Sequence, residues 1–411
     1  MVLNYIWIGF FLVAFVVAVL SFAISGDTAT FKAVIDATFS ASRMAVMDIA
    51  LPLTGIMTLW LGLMNIGEKA GAVGVLSKIV GPFFSRLFPE IPKNHPASGQ
   101  LLMNFSANLL GLDNAATPLG LKAMNSLQEL NPNKEVASNA QIMFLAINTS
   151  GLAIIPVSII AQRAIMGSSS PTDIFIPLLI TTYISTLAAI IFVGIKQKIN
   201  LFDKVIMAWI IGLTVFLGGL MLYLSTLPEE QMLIVSSVVS NGILLLIICG
   251  FIAGGLYKRI NVYEAFIDGA KDGFTTIIKI IPYLIGMLVA IAVFRASGAM
   301  GHLTDGIAWC VAAVGLDSGF VEALPTAIMR PLSGSGARAM MIESMATHGA
   351  DSFVGRLSCL FQGSTDTTFY IIALYFGSVG IKRIRYSVQA GLISDFVGVI
   401  AAIFVAYLFF F

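Results

Sequence analysis

The residues best equipped for chemistry sit where the chain is otherwise greasy. Gln362 to Tyr370 reads QGSTDTTFY, flanked by LSCLF and IIALYF. Within it Gln362, Ser364, Thr365, Asp366, Thr367 and Thr368 carry polar side chains. A carboxylate among neutral oxygens suits a hard cation such as Na+. An aspartate at membrane depth persists by holding a proton, by pairing with a basic residue such as Arg338, or by binding a cation. Its insertion costs about 2.5–3.5 kcal/mol at a helix centre, which a bound cation or polar solute offsets. A second polar centre, Asn148-Thr149-Ser150, has no carboxylate. Asp366, Thr367 and Ser150 are therefore the expected coupling-ion residues. The competing reading makes these side chains interhelical glue, each hydrogen bond worth about 0.6 kcal/mol.

Two Gly/Pro/Ser-interrupted stretches supply the remaining candidates. NLLGLDNAATPLGLKAM, residues 108–124, holds Gly111, Asn114 and Thr117. RPLSGSGARAM, residues 330–340, holds Ser333, Ser335 and Arg338. Tips of small residues let backbone approach a ligand closely. Helices starting after such tips turn positive dipole ends toward it. Arg338 has the fork to grip a carboxylate or phosphate. Both Arg330 and Arg338 otherwise read as side chains reaching for the interface. Glu343, five residues beyond Arg338, offers it a salt-bridge partner. The expected solute-binding set is Asn114, Thr117, Asn148, Thr149, Ser333, Ser335, Arg338, Gln362, Ser364 and Thr365.

Covalent catalysis is not expected. His95, His302 and His348 are scattered, and no paired carboxylates fall at membrane depth. No His/Cys metal spacing and no phosphate loop occurs. Cys249, Cys310 and Cys359 lie in apolar contexts and read as packed free thiols. No cofactor beyond a coupling ion, Na+ or H+, and no nucleic-acid partner is expected.

The elements that must hold these residues follow from hydropathy. Of 411 residues, 58% are apolar and 11% charged, against about 25% charged in a soluble domain. Residues 1–26, 49–67, 136–162, 174–195, 205–228 and 231–257 contain no Asp, Glu, Lys or Arg. A spanning helix needs about 20 apolar residues, so the fold class is an all-α polytopic membrane protein. Residues 1–26 lack a basic leader and a cleavage site and read as a retained first helix.

The chain also repeats itself. KAVIDA (32–37) pairs with EAFIDG (264–269), and LPLTGIM (51–57) with IPYLIGM (281–287). GLKAM (120–124) pairs with GARAM (336–340), and NTSG (148–151) with STDT (364–367), both at an offset of 216. Each unit is expected to run as a span (2–24; 231–256), an amphipathic segment (30–45; 261–275) and a second span (47–66; 277–296). An interfacial stretch (71–88; 299–315), an interrupted segment (95–130; 317–350), a span with a polar centre (137–163; 354–378) and a last span (173–196; 386–410) complete it. Residues 203–226 form one extra helix.

With re-entrant hairpins, that extra crossing inverts the second unit: two inverted repeats with broken helices, about nine spanning helices and two hairpins. The domains are then 1–200, a linking helix within 201–228, and 229–411. This topology places sixteen of the 23 Lys and Arg on one side and seven, Arg163 among them, on the other. The positive-inside rule makes the richer side, and the N-terminus, cytoplasmic. Inverted repeats with interrupted helices mark secondary transporters, so the expectation is ion-coupled transport of a small polar solute.

NLLGLDNAATPLGLKAM resembles spore maturation protein A, and PLSGSGARAMM with QGSTDTTFYI resembles spore maturation protein B. The chain looks like a fusion of the two, within the nucleoside-recognition, or Gate, group. That group is distantly similar to concentrative nucleoside transporters, which carry inverted repeats, re-entrant hairpins and broken helices. The resemblance implies a multi-pass protein of the bacterial inner membrane, a nucleoside-like solute, and homo-oligomers formed through scaffold helices. The Asn-Thr element of such transporters matches Asn148-Thr149. Their base-reading Gln-Thr-Glu triplet does not match Asn114-Ala115-Ala116-Thr117. The alternative is a membrane scaffold or sensory protein in envelope or spore maturation.

Overall fold

The structure, a computed structural model, describes residues 2–26, 28–92, 95–109, 113–152, 156–227, 229–313, 315 and 317–411. Lys93, counted in the charge bias, and Gly111, in the first interrupted segment, lie outside the described residues. The chain is an all-α polytopic membrane protein. Among the described residues there is no strand, only one isolated bridge between Val136 and Arg383. Five helical stretches there are long and apolar enough to cross a bilayer.

Helices α1 (Val2–Ser25) and α2 (Ala29–Arg43) lead through a π-helical stretch, Met44–Ala50, into α3 (Leu51–Lys69). Next come α4 (Ala72–Leu87), then the hairpin pair α5 (Pro96–Leu109) and α6 (Asp113–Leu130). The first broken span is α7 (Asn139–Ser150) and α8 (Val157–Ile165), followed by α9 (Phe175–Gln197) and the linking helix α10 (Lys204–Ser225). The second series is α11 (Glu229–Tyr257), α12 (Val262–Ala296) and α13 (Ala299–Ala313). A short 3-10 turn precedes the hairpin pair α14 (Leu324–Met329) and α15 (Gly334–His348). The second broken span is α16 (Phe353–Ser364) and α17 (Thr368–Ser378), and α18 (Ser387–Phe410) ends the series.

Two joints expected between separate segments are continuous helix instead. Ala29–Lys69 runs on through the π turn, and Val262–Ala296 is one helix of 35 residues. Neither joint carries a helix breaker: the chain reads AVM at 45–47 and TTI at 275–277. A π turn absorbs register without ending a helix. Pro282 sits inside α12 and removes one backbone bond without ending it.

Two compact units form. The first comprises Met1–Thr58, Ser158–Pro171 and Asp272–Gln362. Here Ala50, Ala161 and Ile277 make a small core with Met57 and Ile281. Gly273 lets α12 lie flush on the start of α3: a Cβ there would sit 2.7 Å from Thr58 Cα. The second unit comprises Leu59–Val157, Thr172–Lys271 and Gly363–Phe411. Its core gathers Phe84 and Phe105, with ring centroids 4.6 Å apart, and Phe144 and Tyr375, 5.2 Å apart. In it α18 packs along α9 and against α7, and α5 lies on α6.

Candidate functional site

The polar centres are where helices stop. Helix α7 starts on a reciprocal cap, Ser138 Oγ accepting from Gln141 N and Gln141 Oε1 accepting from Ser138 N. It ends at Gly151, whose φ of 64° needs a residue without Cβ. Helix α16 ends at Ser364, and α17 restarts at Thr368 after an extended Thr367. The two stops meet in the second unit. Asp366 N donates to Thr149 O at 2.7 Å. A Cβ on Gly151 would lie 3.0 Å from Asp366 N. Thr149 and Thr365 are equivalent at the 216-residue offset, so each copy's break touches the other's.

Around this crossing the expected residues take distinct places. Asn148 is buried, donates to Phe144 O at 2.9 Å and accepts from Asn108 Nδ2 at 2.9 Å. Thr149 and Ser150 are fully buried, and their hydroxyls donate to Ala146 O and Ile147 O. Their oxygens keep acceptor capacity, whereas their protons are spent on their own helix. Ser364, Thr365 and Thr367 are buried. Asp366 is exposed, and its Oδ1 accepts from Thr367 N at 2.7 Å. Thr117 is half-buried on α6. Asn114 belongs to α6 by its backbone, and its side chain lies outside the described residues.

The remaining candidates belong to the first unit. Ser333 caps α15, its Oγ accepting from Gly336 N at 3.0 Å and lying 3.3 Å from Ser335 Oγ. Gln362 reaches this turn with a long 3.5 Å contact from Nε2 to Gly334 O. Arg338 is half-buried. Glu343, the acid five residues beyond Arg338, is held at both carboxylate oxygens by Arg295 of α12.

Three groups escaped the sequence reading. Asn104 and Asn108 extend Asn148 into a ladder, with Asn104 Nδ2 donating to Ala116 O at 2.7 Å. Asp395 of α18 is 5% exposed and accepts from Thr368 Oγ1 at 2.7 Å. A lone carboxylate inside the apolar run 387–410 was the available signal. The third group is a clasp in the first unit. Arg163, counted at the outer face by charge bias, is fully buried and meets Asp351 at 2.9 Å. It also donates to Ala350 O at 2.7 Å, Ser168 Oγ at 2.9 Å, and the carbonyls of Ser170 and Pro171. Burial pushes the Asp351 carboxyl up, but hydrogen bonds from Ser168 and Ser169 with the Arg163 charge outweigh it and bring it to about 2.

The copy of this clasp lies in the second unit. Glu135 is equivalent to Asp351 at the offset of 216. Its Oε1 takes Lys382 Nζ at 2.6 Å, and its carbonyl accepts from the Lys382 and Arg383 amides at 2.9 Å. Arg385 Nη1 donates to Ala137 O and Asn139 Oδ1 at 3.0 Å. This clasp is exposed where the other is buried.

A hairpin followed by a helix broken at a polar centre, present twice in one chain, defines a helical membrane protein of the repeat-built kind. The family model described as "Nucleoside recognition" (Gate) matches residues 50–166 and 277–382, each spanning one hairpin and one broken helix, and the chain belongs to that family. It is 44% identical to "Spore maturation protein B" of Bacillus subtilis (strain 168), over 40% of this chain and 91% of that protein. It is 42% identical to "Spore maturation protein A" of the same organism, over 46% of this chain and 92% of that protein. One polypeptide thus carries an A-like and a B-like sequence. No solved structure matches the chain.

Proposed function

We propose that the protein is an ion-coupled secondary transporter of a small polar, nucleoside-like solute across the bacterial inner membrane. The supporting observation is the crossing of the two helix breaks, where Asp366 N meets Thr149 O at 2.7 Å. Broken helices meeting at a polar centre place irregular backbone where only a protein-lined or water-filled cavity tolerates it. Asp366 presents an accessible carboxylate there for a cation, Na+ or H+. The hairpin turn with Ser333 and Arg338 would grip the solute, an anionic group going to Arg338. The N-terminus is cytoplasmic in this reading, covalent chemistry is absent, and the exposed apolar helices leave room for a homo-oligomer in the bilayer.

Uptake by purified protein in liposomes, with imposed Na+ or pH gradients and nucleosides as solutes, tests the proposal. Wild type should accumulate solute under one gradient, and Asp366→Asn should bind solute without gradient-driven uptake. Unchanged uptake by the variant would remove Asp366 from coupling. The names of the two Bacillus relatives favour a second reading, a membrane scaffold in spore maturation. No solute-dependent stabilisation across a nucleoside panel, with no uptake under either gradient, would favour it.

A further inference from the structure

Between α4, α9 and α10 of the second unit lies a cavity of about 290 Å³. Its wall is apolar throughout. The hydroxyl of Tyr183, a residue of that wall, is spent on Ile210 O at 3.0 Å and Thr214 Oγ1 at 2.6 Å. Water needs polar partners in a cavity, so a space walled by carbon suits an apolar ligand. The cavity extends from Phe84 to Leu76 along α4 and from Trp209 to Leu217 along α10. Eight residue steps on each helix make it about 12 Å long. That is most of the roughly 15 Å hydrocarbon half of a bilayer. Ile79 and Phe216 on its rim are 54% and 66% exposed, so it opens sideways toward lipid.

One end of the cavity is basic. The rings of Phe83 and Trp209 lie 6.0 Å apart. One turn further along α4, Arg86 Nε lies 3.7 Å from Asp203 Oδ1, so the end of α4 meets the start of α10. The turn from α9 into α10, KQKINLFDK at 196–204, brings Lys196, Lys198 and Lys204 to this same end, all exposed. Four bases in 86–90 and 196–204 stand against two acids. Both acids are engaged: Asp203 Oδ1 also accepts from Val205 N at 2.9 Å, and Glu90 Oε1 accepts from Asn139 Nδ2 at 2.7 Å. Trp209 stands five residues, about 7.5 Å, inside Lys204, where an indole at a membrane interface belongs. An apolar slot nearly one leaflet deep, under a basic rim, is complementary to a hydrocarbon tail with an anionic head.

We propose that this cavity binds one acyl chain of an anionic phospholipid, whose phosphate is held by Lys198 and Lys204 with Arg86. The chain enters between α4 and α10 from the leaflet at the basic end. It then packs the linking helix α10 against α4 and α9 as side chains would. A zwitterionic lipid offers the same tail, so the basic rim sets the preference for the anionic one. The site does not rest on the transport reading.

Trp209 reports on the site directly. With Trp7, Trp60 and Trp309 replaced by Phe, it is the one indole of the full chain. That protein is placed in nanodiscs of phosphatidylcholine and phosphatidylglycerol, with bromine on the acyl chains of one lipid or the other. Half-maximal quenching should need about tenfold less brominated phosphatidylglycerol than brominated phosphatidylcholine, the worth of one to two bases at an anionic headgroup. Lys198→Gln with Lys204→Gln should bring the two curves together. Leu213→Phe, which narrows the slot, should weaken quenching by both lipids. Should the triple Phe variant fail to fold, native mass spectrometry of wild type decides: one phosphatidylglycerol should stay bound per chain and be lost from the lysine double variant. Quenching that follows the bulk lipid fraction equally for both lipids overturns the proposal. So does a lysine double variant that keeps the preference or the bound lipid. A Trp209 that neither lipid quenches, in discs holding two chains, would give the slot to a second copy and overturn it as well.

Discussion

Replacing Arg163 by Met should be among the most damaging single changes outside the breaks. The guanidinium is fully buried, and its contacts include Asp351, Ser168 Oγ, and the carbonyls of Ala350, Ser170 and Pro171. At about 1.5–3 kcal/mol for each bond to a charged group, simple addition would exceed 7 kcal/mol. Addition is wrong here, because the 166–171 loop relaxes and its carbonyls recover water. Removing one partner of a buried pair costs about 3–5 kcal/mol, and Asp351, still held by Ser168 and Ser169, keeps the loss toward the lower figure. The equivalent clasp supplies the control. Lys382 and Glu135 have side chains 72% and 55% exposed, so Lys382→Met should cost under about 1 kcal/mol. Arg163→Lys should recover little, since a point charge lacks the fork. Melting of the purified proteins in one detergent gives the comparison. Equal losses at Arg163 and Lys382, or an Arg163→Met protein as stable as wild type, would refute the assignment of the buried clasp as an anchor.

Acid should act through the same clasp. The Asp351 carboxyl is brought to about 2 in the folded state from a usual 3.8, so its stabilisation is full above about pH 4 and fades as pH falls toward 2. Asp351→Asn should lack that acid limb, and an unchanged limb would place the effect elsewhere. Gly151→Ala forces a left-handed residue, at a cost of about 1–3 kcal/mol, and drives its methyl into Asp366. Faster hydrogen exchange at the Asp366 amide is the expected result; unchanged exchange would deny the crossing.

Much of the architecture was readable because its marks are local. Charge-free runs gave spans, and NTSG and QGSTDTT gave the two broken helices, ending in the structure at Ser150 and Ser364. What escaped depends on long-range pairing. Arg163 and Asp351 are 188 positions apart, and nothing local tells an arginine bound inward from one reaching for the interface. Glu343 went to Arg295 of a different helix. The partition of the polar residues around the breaks was also hidden. Asp366 is exposed, while Asp395, in a stretch read as an ordinary span, is 5% exposed. Hydropathy averages over the face on which a single side chain points. The spacing GLISDFVG at 391–398 held the missing information, since glycines on one stripe announce a close neighbour.

The exchange of contacts between equivalent residues bears on how the protein is made. Arg163 enters the bilayer long before Asp351, its carboxylate partner, has been synthesised. Glu135 likewise waits for Lys382 and Arg383, and Thr149 O for the Asp366 amide. A chain stopped after its first two hundred residues would hold a guanidinium and a helix end with their partners missing, each costly to keep from water. The early segments therefore cannot reach their final packing as a finished domain. They remain a membrane-inserted intermediate, open to proteolytic surveillance, until the last helices arrive.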